Sequence, residues 1–154
     1  MKKNNFNFYL LIYNIQSKHN IKTLIQTALN FNCHKFLILG NIKKTLLKIF
    51  QNNKEIQNKF EFFDEIEQLK NYLSENKIKT IGIEIGKNSI PIQNFIFEGN
   101  SLFILGNEAN GMNQKQKNLC ENFVYIQQYS NKTGSLNVAI AASIIFHHFF
   151  VWNK

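Results

Sequence analysis

The chain has 154 residues, of which 44% are hydrophobic and 18% charged, and it carries a formal net charge of +8. This length is that of one domain with one sizeable core, and the composition is typical of a globular protein rather than a disordered one. The apolar runs fall short of the ~20 residues that a membrane span needs. We therefore predict a single domain over residues 1–154 and no membrane-spanning segment.

All 18 basic residues are lysines, and the sequence contains no arginine. Lysines that neutralise phosphate groups release counterions on binding, so this positive charge favours a polyanionic partner such as nucleic acid. The abundance of lysine and asparagine can also reflect a coding bias, in which case the charge says little about partners. A protein that binds a small nucleotide or metabolite, without a nucleic-acid partner, therefore stays open.

The two cysteines, Cys33 and Cys120, lie far apart and outside any metal-ligand spacing. We therefore expect reduced thiols in an intracellular compartment, with no disulfide and no bound metal. Residues 1–5 are basic but are not followed by the pattern of a secretory signal, and they are too few for a transit peptide. The cytoplasm is the expected location, and an organelle stays open.

The first half of the chain is predicted to alternate strands with helices. Strands are predicted at residues 6–13, 35–39 and 60–63, and helices at about 21–30, 42–50 and 65–76. His19 and Asn20 are predicted to cap the first helix and Asp64 the third. Residues 51–57 are predicted to be a loop or a fraying helix end.

The second half continues the alternation. Strands are predicted at residues 80–85, 101–105 and 123–126, and helices at 114–119 and 135–151. The segment 86–97, which contains the only proline, is predicted to be an irregular connection. The last helix is apolar on nearly every face and is predicted to be largely buried, with Ser135 as its N-cap.

This alternation implies an α/β fold, a parallel sheet covered by helices on both faces. Ligands of such sheets bind at the carboxyl ends of the strands. Two polar loops follow predicted strands there, at residues 106–112 and 127–134. They are the candidate site.

The loop 106–112 (GNEANGM) has the glycine spacing of a phosphate-binding loop, but Met112 and Asn113 stand where lysine and a hydroxyl residue would hold phosphate and magnesium. It also lacks the G-x-G-x-x-G pattern of a dinucleotide site, and Glu108 would repel a pyrophosphate. Hydrolysis of ATP or GTP is therefore not expected, and Glu108 suits a ligand with hydroxyls or a positive centre. A tight turn at Asn110-Gly111 with a solvated Glu108 is the alternative interpretation.

Three segments, taken together and in this order, resemble the three motifs of the SpoU (TrmH-like) branch of the SPOUT RNA methyltransferases. They are residues 20–28 (NIKTLIQTA), 103–112 (FILGNEANGM), and Tyr125-Ile126 followed by 135–142 (SLNVAIAA). The resemblance covers nearly the whole chain, and the second and third motifs are its specific part. The tail 142–149 (ASIIFHHF) is similar to plant-type members of this branch.

The resemblance implies a deep trefoil knot in the α/β fold, an S-adenosylmethionine site built by the knotted loops, and a homodimer packed through the first and last helices. The implied reaction is methyl transfer from the sulfonium to a ribose 2′-hydroxyl of tRNA or rRNA. Without a separate RNA-binding domain, RNA recognition would come from the basic surface of the dimer itself.

The resemblance also assigns roles by position. Residues implied to bind the cofactor are Leu105, Gly106, Asn107, Glu108, Gly111, Ile126, Ser135 and Leu136. Residues implied to take part in catalysis or to position the RNA are Asn20, Lys22, Gln26, Glu108, Ser135 and Asn137.

The first motif departs from the family at two positions, because Lys22 stands where glycine is common and Gln26 where an arginine handles the ribose hydroxyl. A glutamine cannot stabilise a developing alkoxide as a cation can, an effect often worth ~3 kcal/mol. One interpretation is that Lys22, one turn earlier on the same face, supplies the cation together with Lys132. The other is a chain without turnover that acts as an RNA-binding factor or partner subunit. The retention of Glu108, Ser135 and Asn137 favours the enzyme.

Overall fold

The computed structural model describes residues 5–131 and 134–152, and within them one parallel sheet is the centre of the fold. Its strands are β1 (Phe8–Ile12), β2 (Lys35–Leu39), β3 (Phe60–Phe63), β4 (Lys79–Ile83), β5 (Ser89–Pro91), β6 (Ser101–Leu105) and β7 (Asn122–Tyr125). They pair in the order β3-β2-β1-β6-β4-β7-β5, and each neighbouring pair is parallel. The predicted α/β fold with a parallel sheet is confirmed.

Helices cover both faces of the sheet. They are α1 (Lys18–Asn30), α2 (Lys43–Ile49), α3 (Lys54–Gln57), α4 (Ile66–Glu75), α5 (Gln114–Leu119) and α6 (Val138–Trp152), with a 3-10 turn at Ile92–Asn94. Because successive strand residues point to opposite faces, Leu10 enters one core with α1, α2 and α6, and Leu11 enters the other with α4 and α5.

A cluster of phenylalanines attaches α6 to the central strands. The rings of Phe8 and Phe146 stack with centroids 4.7 Å apart, and Phe97 meets Phe149 edge-on at 4.8 Å. Phe103 contacts both helix residues, at 5.8 Å each. Substituting a buried phenylalanine by alanine typically costs ~3–5 kcal/mol of stability. The burial of these rings therefore fixes the position of α6 on the sheet.

The helix caps differ from the prediction. The cap of α1 is Ser17, whose Oγ accepts from the N–H of Asn20 at 3.2 Å, and not His19-Asn20. The cap of α4 is Glu65, which forms a reciprocal capping box with Gln68, and not Asp64. The observed cap lies two residues before His19 in α1 and directly after Asp64 in α4, and in each helix it belongs to a residue type that can accept from the first backbone N–H groups.

Two connections contain more structure than predicted. The segment 86–97 was expected to be irregular, but it contains β5, whose three residues pair with β7 at the edge of the sheet. Residues 51–57, expected to be loop or frayed helix, contain the four-residue α3, capped by the side chain of Asn53. Both elements are too short to leave a periodic pattern in the sequence.

The last helix is shorter and less buried than predicted. It begins at Val138, and its N-terminal backbone is capped by Asn137 rather than Ser135, because Asn137 Oδ1 accepts from the N–H of Ala139 at 2.8 Å. Its outer face remains apolar and exposed. Among the described residues, no helix is long and apolar enough to cross a membrane. The trefoil knot stays a prediction.

Candidate active site

A cavity of about 520 Å³ opens at the carboxyl ends of three neighbouring strands, β4, β6 and β7. Its lining comes from residues 83–85, 105–108, 111–112, 125–126, 128, 135–138 and 141, with Asn20 from α1. The strand order explains this gathering, because β6 lies beside β4 and β4 beside β7. The predicted location of the site at the strand ends agrees with this cavity.

The first loop (106–112) is closed by its own backbone. Asn107 and Gly111 exchange two N–H to carbonyl hydrogen bonds, of 2.8 and 2.9 Å. The side-chain oxygen of Asn107 also accepts from the N–H of Ala109 at 2.9 Å and of Asn110 at 3.3 Å. The loop is therefore a small, internally satisfied turn, and Asn107 at its base is buried.

Two glycines are required by the shape of this loop. A Cβ at position 106 would lie 2.5 Å from the carbonyl carbon of Gly111 and 2.6 Å from the nitrogen of Met112. Gly111 has a φ of +70°, and a Cβ there would lie 3.1 Å from an oxygen of Glu84. The glycines thus allow the two ends of the loop to touch, which L-residues with side chains would prevent.

The first loop is also tied to the segment between β1 and α1. The amide nitrogen of Asn107 donates to the carbonyl of Asn14 at 3.1 Å, and the backbone N–H of Ser17 donates to a carboxylate oxygen of Glu108 at 3.1 Å. Glu108 is exposed but is not a free loop residue, since it holds the N-terminal end of α1. The sequence alone offered no signal for the Ser17 contact.

Buried Gln116 joins these parts from below. Its amide nitrogen donates to the carbonyl of Leu105 at 2.7 Å, and its oxygen accepts from the side chain of Asn14 at 3.0 Å and from the N–H of Asn113 at 3.0 Å. These hydrogen bonds of one buried glutamine fix β6, α5 and the segment between β1 and α1 relative to one another. No motif of the sequence includes Gln116.

The second loop (126–137) also contributes to the lining of the cavity, and its described residues are mostly exposed. Its end is held by Asn137, whose amide donates to the side-chain oxygen of Asn20 at 3.2 Å. Ser135 and Leu136 line the cavity and are exposed to solvent. Segments from three distant parts of the sequence therefore meet at one cavity.

Two residues expected at the site lie elsewhere. Lys22 and Gln26 are exposed on α1 and are not among the described residues that line the cavity. At about 100° per residue, Lys22 is rotated about 200° from Asn20 around the helix axis, so the two side chains leave opposite sides of α1. Lys132, the other proposed cation, lies outside the described residues.

Negative charge predominates among the described residues of the lining, which contains Glu84 and Glu108 and no lysine. Burial, together with the negative charge of Glu84, raises the pKa of the Cys120 thiol to about 12. Cys120 is therefore protonated at neutral pH and is not poised as a nucleophile. The cavity suits a ligand with a positive centre.

A family model, the SpoU rRNA Methylase family, matches residues 7–147 of the chain. One similar protein is the 23S rRNA (guanosine-2′-O-)-methyltransferase RlmB of Acinetobacter baylyi, 31% identical over 70 residues, which are 46% of this chain and 28% of that protein. The described fold is similar to the SpoU methyltransferase AviRb of Streptomyces viridochromogenes in complex with the cofactor AdoMet, with a TM-score of 0.76, 19% identity and coverage of 94% of this chain and 57% of that one.

A second similar structure is the TrmH/SpoU tRNA modifying enzyme of A. aeolicus, with a TM-score of 0.73, 15% identity and coverage of 97% of this chain and 77% of that one. These structural similarities establish a shared fold. The chain spans less than two thirds of the length of RlmB and of AviRb.

Proposed function

Because the chain belongs to the SpoU rRNA Methylase family, we propose that it transfers the methyl group of S-adenosylmethionine to a ribose 2′-hydroxyl of tRNA or rRNA. The observation that carries the proposal is the meeting of all three motifs at one cavity. Asn137 of the third motif bonds to Asn20 of the first at 3.2 Å. Glu108 of the second bonds to Ser17, just before the first, at 3.1 Å.

The cavity fits S-adenosylmethionine in size and in chemistry. Its volume of about 520 Å³ is in the range of small-molecule sites, ~300–1,000 Å³, and its lining is mainly apolar with a few polar groups. When bound, this cofactor supplies an activated methyl group on a positively charged sulfur. The residues proposed to hold it are Leu105, Gly106, Asn107, Glu108, Gly111, Ile126, Ser135 and Leu136.

The polar residues at the mouth of the cavity are proposed to position the RNA and the reacting hydroxyl. Asn137 and Asn20 fix one another, so that each can present a remaining side-chain amide N–H in a defined direction. Glu108 holds the N-terminal end of α1 against the first loop. Ser135 is the exposed hydroxyl of the second loop beside them.

A homodimer is proposed from the outer face of α6. Ile140, Ile144 and Val151 are 54%, 38% and 51% exposed, and they recur on one side of the helix at helical spacing. Exposed Phe150 and Trp152 extend the apolar surface to the end of the described helix. A mainly apolar exposed helix face, on which His147 is the polar residue, is typical of a protein–protein interface, and α1 packs directly beside α6.

Lys22 and Gln26 are proposed to act at the cavity of the second subunit. Neither lines the cavity of its own chain, while both lie on the exposed side of α1, next to the proposed interface. Mixing inactive Lys22→Ala and Asn137→Ala proteins should then restore part of the activity, since one site of the mixed dimer would contain both intact residues. A mixture as inactive as its components would contradict this arrangement.

The first experiment is calorimetric titration with S-adenosylmethionine, followed on the same sample by transfer of a tritiated methyl group to total tRNA and to total rRNA. We expect binding and transfer to one of these RNA pools. Binding without transfer would favour the interpretation of a partner subunit or RNA-binding factor. Absence of cofactor binding would contradict the proposed activity.

A further inference from the structure

Glu84 is an acidic residue of the cavity lining that no motif includes. It follows β4 directly, and its side chain is 30% exposed. One carboxylate oxygen accepts from the N–H of Met112 at 3.3 Å, and the other lies 3.9 Å from the ammonium of Lys117. The carboxylate is thus held in a defined place, against the end of the first loop.

The charge around this cavity is opposite to that of the whole protein. The chain carries +8, yet the described residues of the lining include two carboxylates and no lysine. Glu108 is exposed and accepts a hydrogen bond from the N–H of Ser17. Glu84 is half-buried and is therefore the more enclosed of the two carboxylates. A negative lining attracts a cationic ligand and repels an anionic one.

Methyl transfer changes the charge of the ligand in this cavity. The bond between the methyl carbon and sulfur breaks with its electron pair remaining on sulfur, so that the sulfonium becomes a neutral thioether. The methyl carbon bonds to the ribose oxygen, and the hydroxyl proton passes to solvent. The donor therefore carries one more positive charge than S-adenosylhomocysteine, the product, while their shapes differ by one methyl group.

We propose that Glu84 is the residue that distinguishes the charged methyl donor from its neutral product and so favours product release; this inference rests on the proposed function. A fixed negative charge stabilises the sulfonium form and has much weaker interactions with the thioether. Lys117, whose ammonium lies 3.9 Å from the carboxylate, and solvent both reduce the effect by screening this charge. We expect a preference of about tenfold, which corresponds to ~1.4 kcal/mol.

The test is calorimetric titration of the wild-type protein and the Glu84→Gln variant with S-adenosylmethionine and, separately, with S-adenosylhomocysteine. Glutamine has the same shape, and its amide oxygen can still accept from the N–H of Met112. The matched control is Glu75→Gln, which makes the same change of net charge at an exposed position on α4. Thermal unfolding of each variant checks that it is folded.

We expect Glu84→Gln to weaken S-adenosylmethionine binding about tenfold and to change S-adenosylhomocysteine binding less than twofold. The Glu75→Gln protein should bind both ligands as the wild type does. Equal losses for both ligands would overturn the proposal, because Glu84 would then only shape the first loop, and unchanged binding of both would overturn it as well. A wild-type protein that binds neither ligand would instead refute the proposed function, on which the inference depends.

Discussion

The two loops that enclose the cavity differ in how they are held. The first (106–112) is closed by paired backbone bonds, and its base, Asn107, is only 6% exposed and bonds to the segment after β1. The second (126–137) exposes most of its described residues, and Asn137 ties its end to α1. The first loop is therefore held in place by intramolecular hydrogen bonds, while the second loop presents its side chains to solvent and to ligands.

This difference has an energetic consequence. Because the contacts of the first loop are also contacts of the core, a substitution there is expected to lower both stability and function. Substitutions in the second loop remove few intramolecular contacts, so their effect should fall on ligand binding with little change in stability. Matched changes in the two loops can test the comparison.

The largest effect is expected from Gly106→Ala. The added Cβ would lie 2.5 Å and 2.6 Å from backbone atoms of Gly111 and Met112, and only a backbone shift could relieve the overlap. We expect the free energy of unfolding, measured by urea denaturation, to fall by about 3 kcal/mol and S-adenosylmethionine binding to be lost.

The control for this change is Gly134→Ala in the second loop, where a Cβ meets no atom within 4 Å. Its stability is expected to stay within ~0.5 kcal/mol of the wild type. Similar losses in the two variants would mean that the second loop is as tightly packed as the first, and the comparison would be wrong.

A smaller loss is expected from Asn107→Ala, which removes the bond to the carbonyl of Asn14 and both bonds accepted inside the loop. Unsatisfied backbone groups near the core cost ~1–3 kcal/mol, so the free energy of unfolding should fall by about 2 kcal/mol. Asn131→Ala, at an exposed position of the second loop, is the matched control and should change it by less than ~0.5 kcal/mol. Chemical denaturation of both proteins measures the difference.

The strands were predictable to within a few residues, and several were predicted with their observed bounds, such as β2 and β6. The pattern that predicts these strands is local, because it is a short apolar run bounded by residues that favour turns. β5 was not predictable, because a three-residue edge strand ending in Pro91 exists only through its pairing with β7. The outer face of α6 was predicted to be buried, since composition cannot tell an exposed apolar face from a core.

In the site, too, some features follow from local sequence patterns and others only from the tertiary structure. Motif residues such as Gly106, Glu108 and Asn137 line the cavity. Short sequence patterns were sufficient to identify the loops that contain them. Glu84 was missed because β4 lies beside β6 only through the topology of the sheet. Lys22 and Gln26, by contrast, do not line the cavity of their own chain, since a motif position on a helix does not say to which side its side chain points.

The junction of the second loop with α6 is expected to show an intermediate effect. Asn137→Ala removes a helix cap and the bond to Asn20, and it should cost about 1 kcal/mol of stability and most of the proposed methyl transfer. Asn137→Asp can still cap the helix, but its carboxylate cannot donate to Asn20. We therefore expect this variant to keep its stability in thermal unfolding and to lose activity in the methyl-transfer assay. Full activity of Asn137→Asp would show that the bond between the two asparagines has no role in the reaction.

The smallest effect on stability is expected from Tyr129→Ser in the second loop. The Tyr129 side chain is 93% exposed, so its removal should change the free energy of unfolding by less than ~0.5 kcal/mol. Aromatic side chains that project into solvent can stack on unpaired bases, a contact worth ~1–3 kcal/mol per base. For the proposed RNA substrate we expect weaker binding, with no change in the calorimetric affinity for S-adenosylmethionine, whereas Tyr129→Phe should bind RNA as the wild type does. A loss of stability in Tyr129→Ser would contradict the view that the second loop has few contacts with the core.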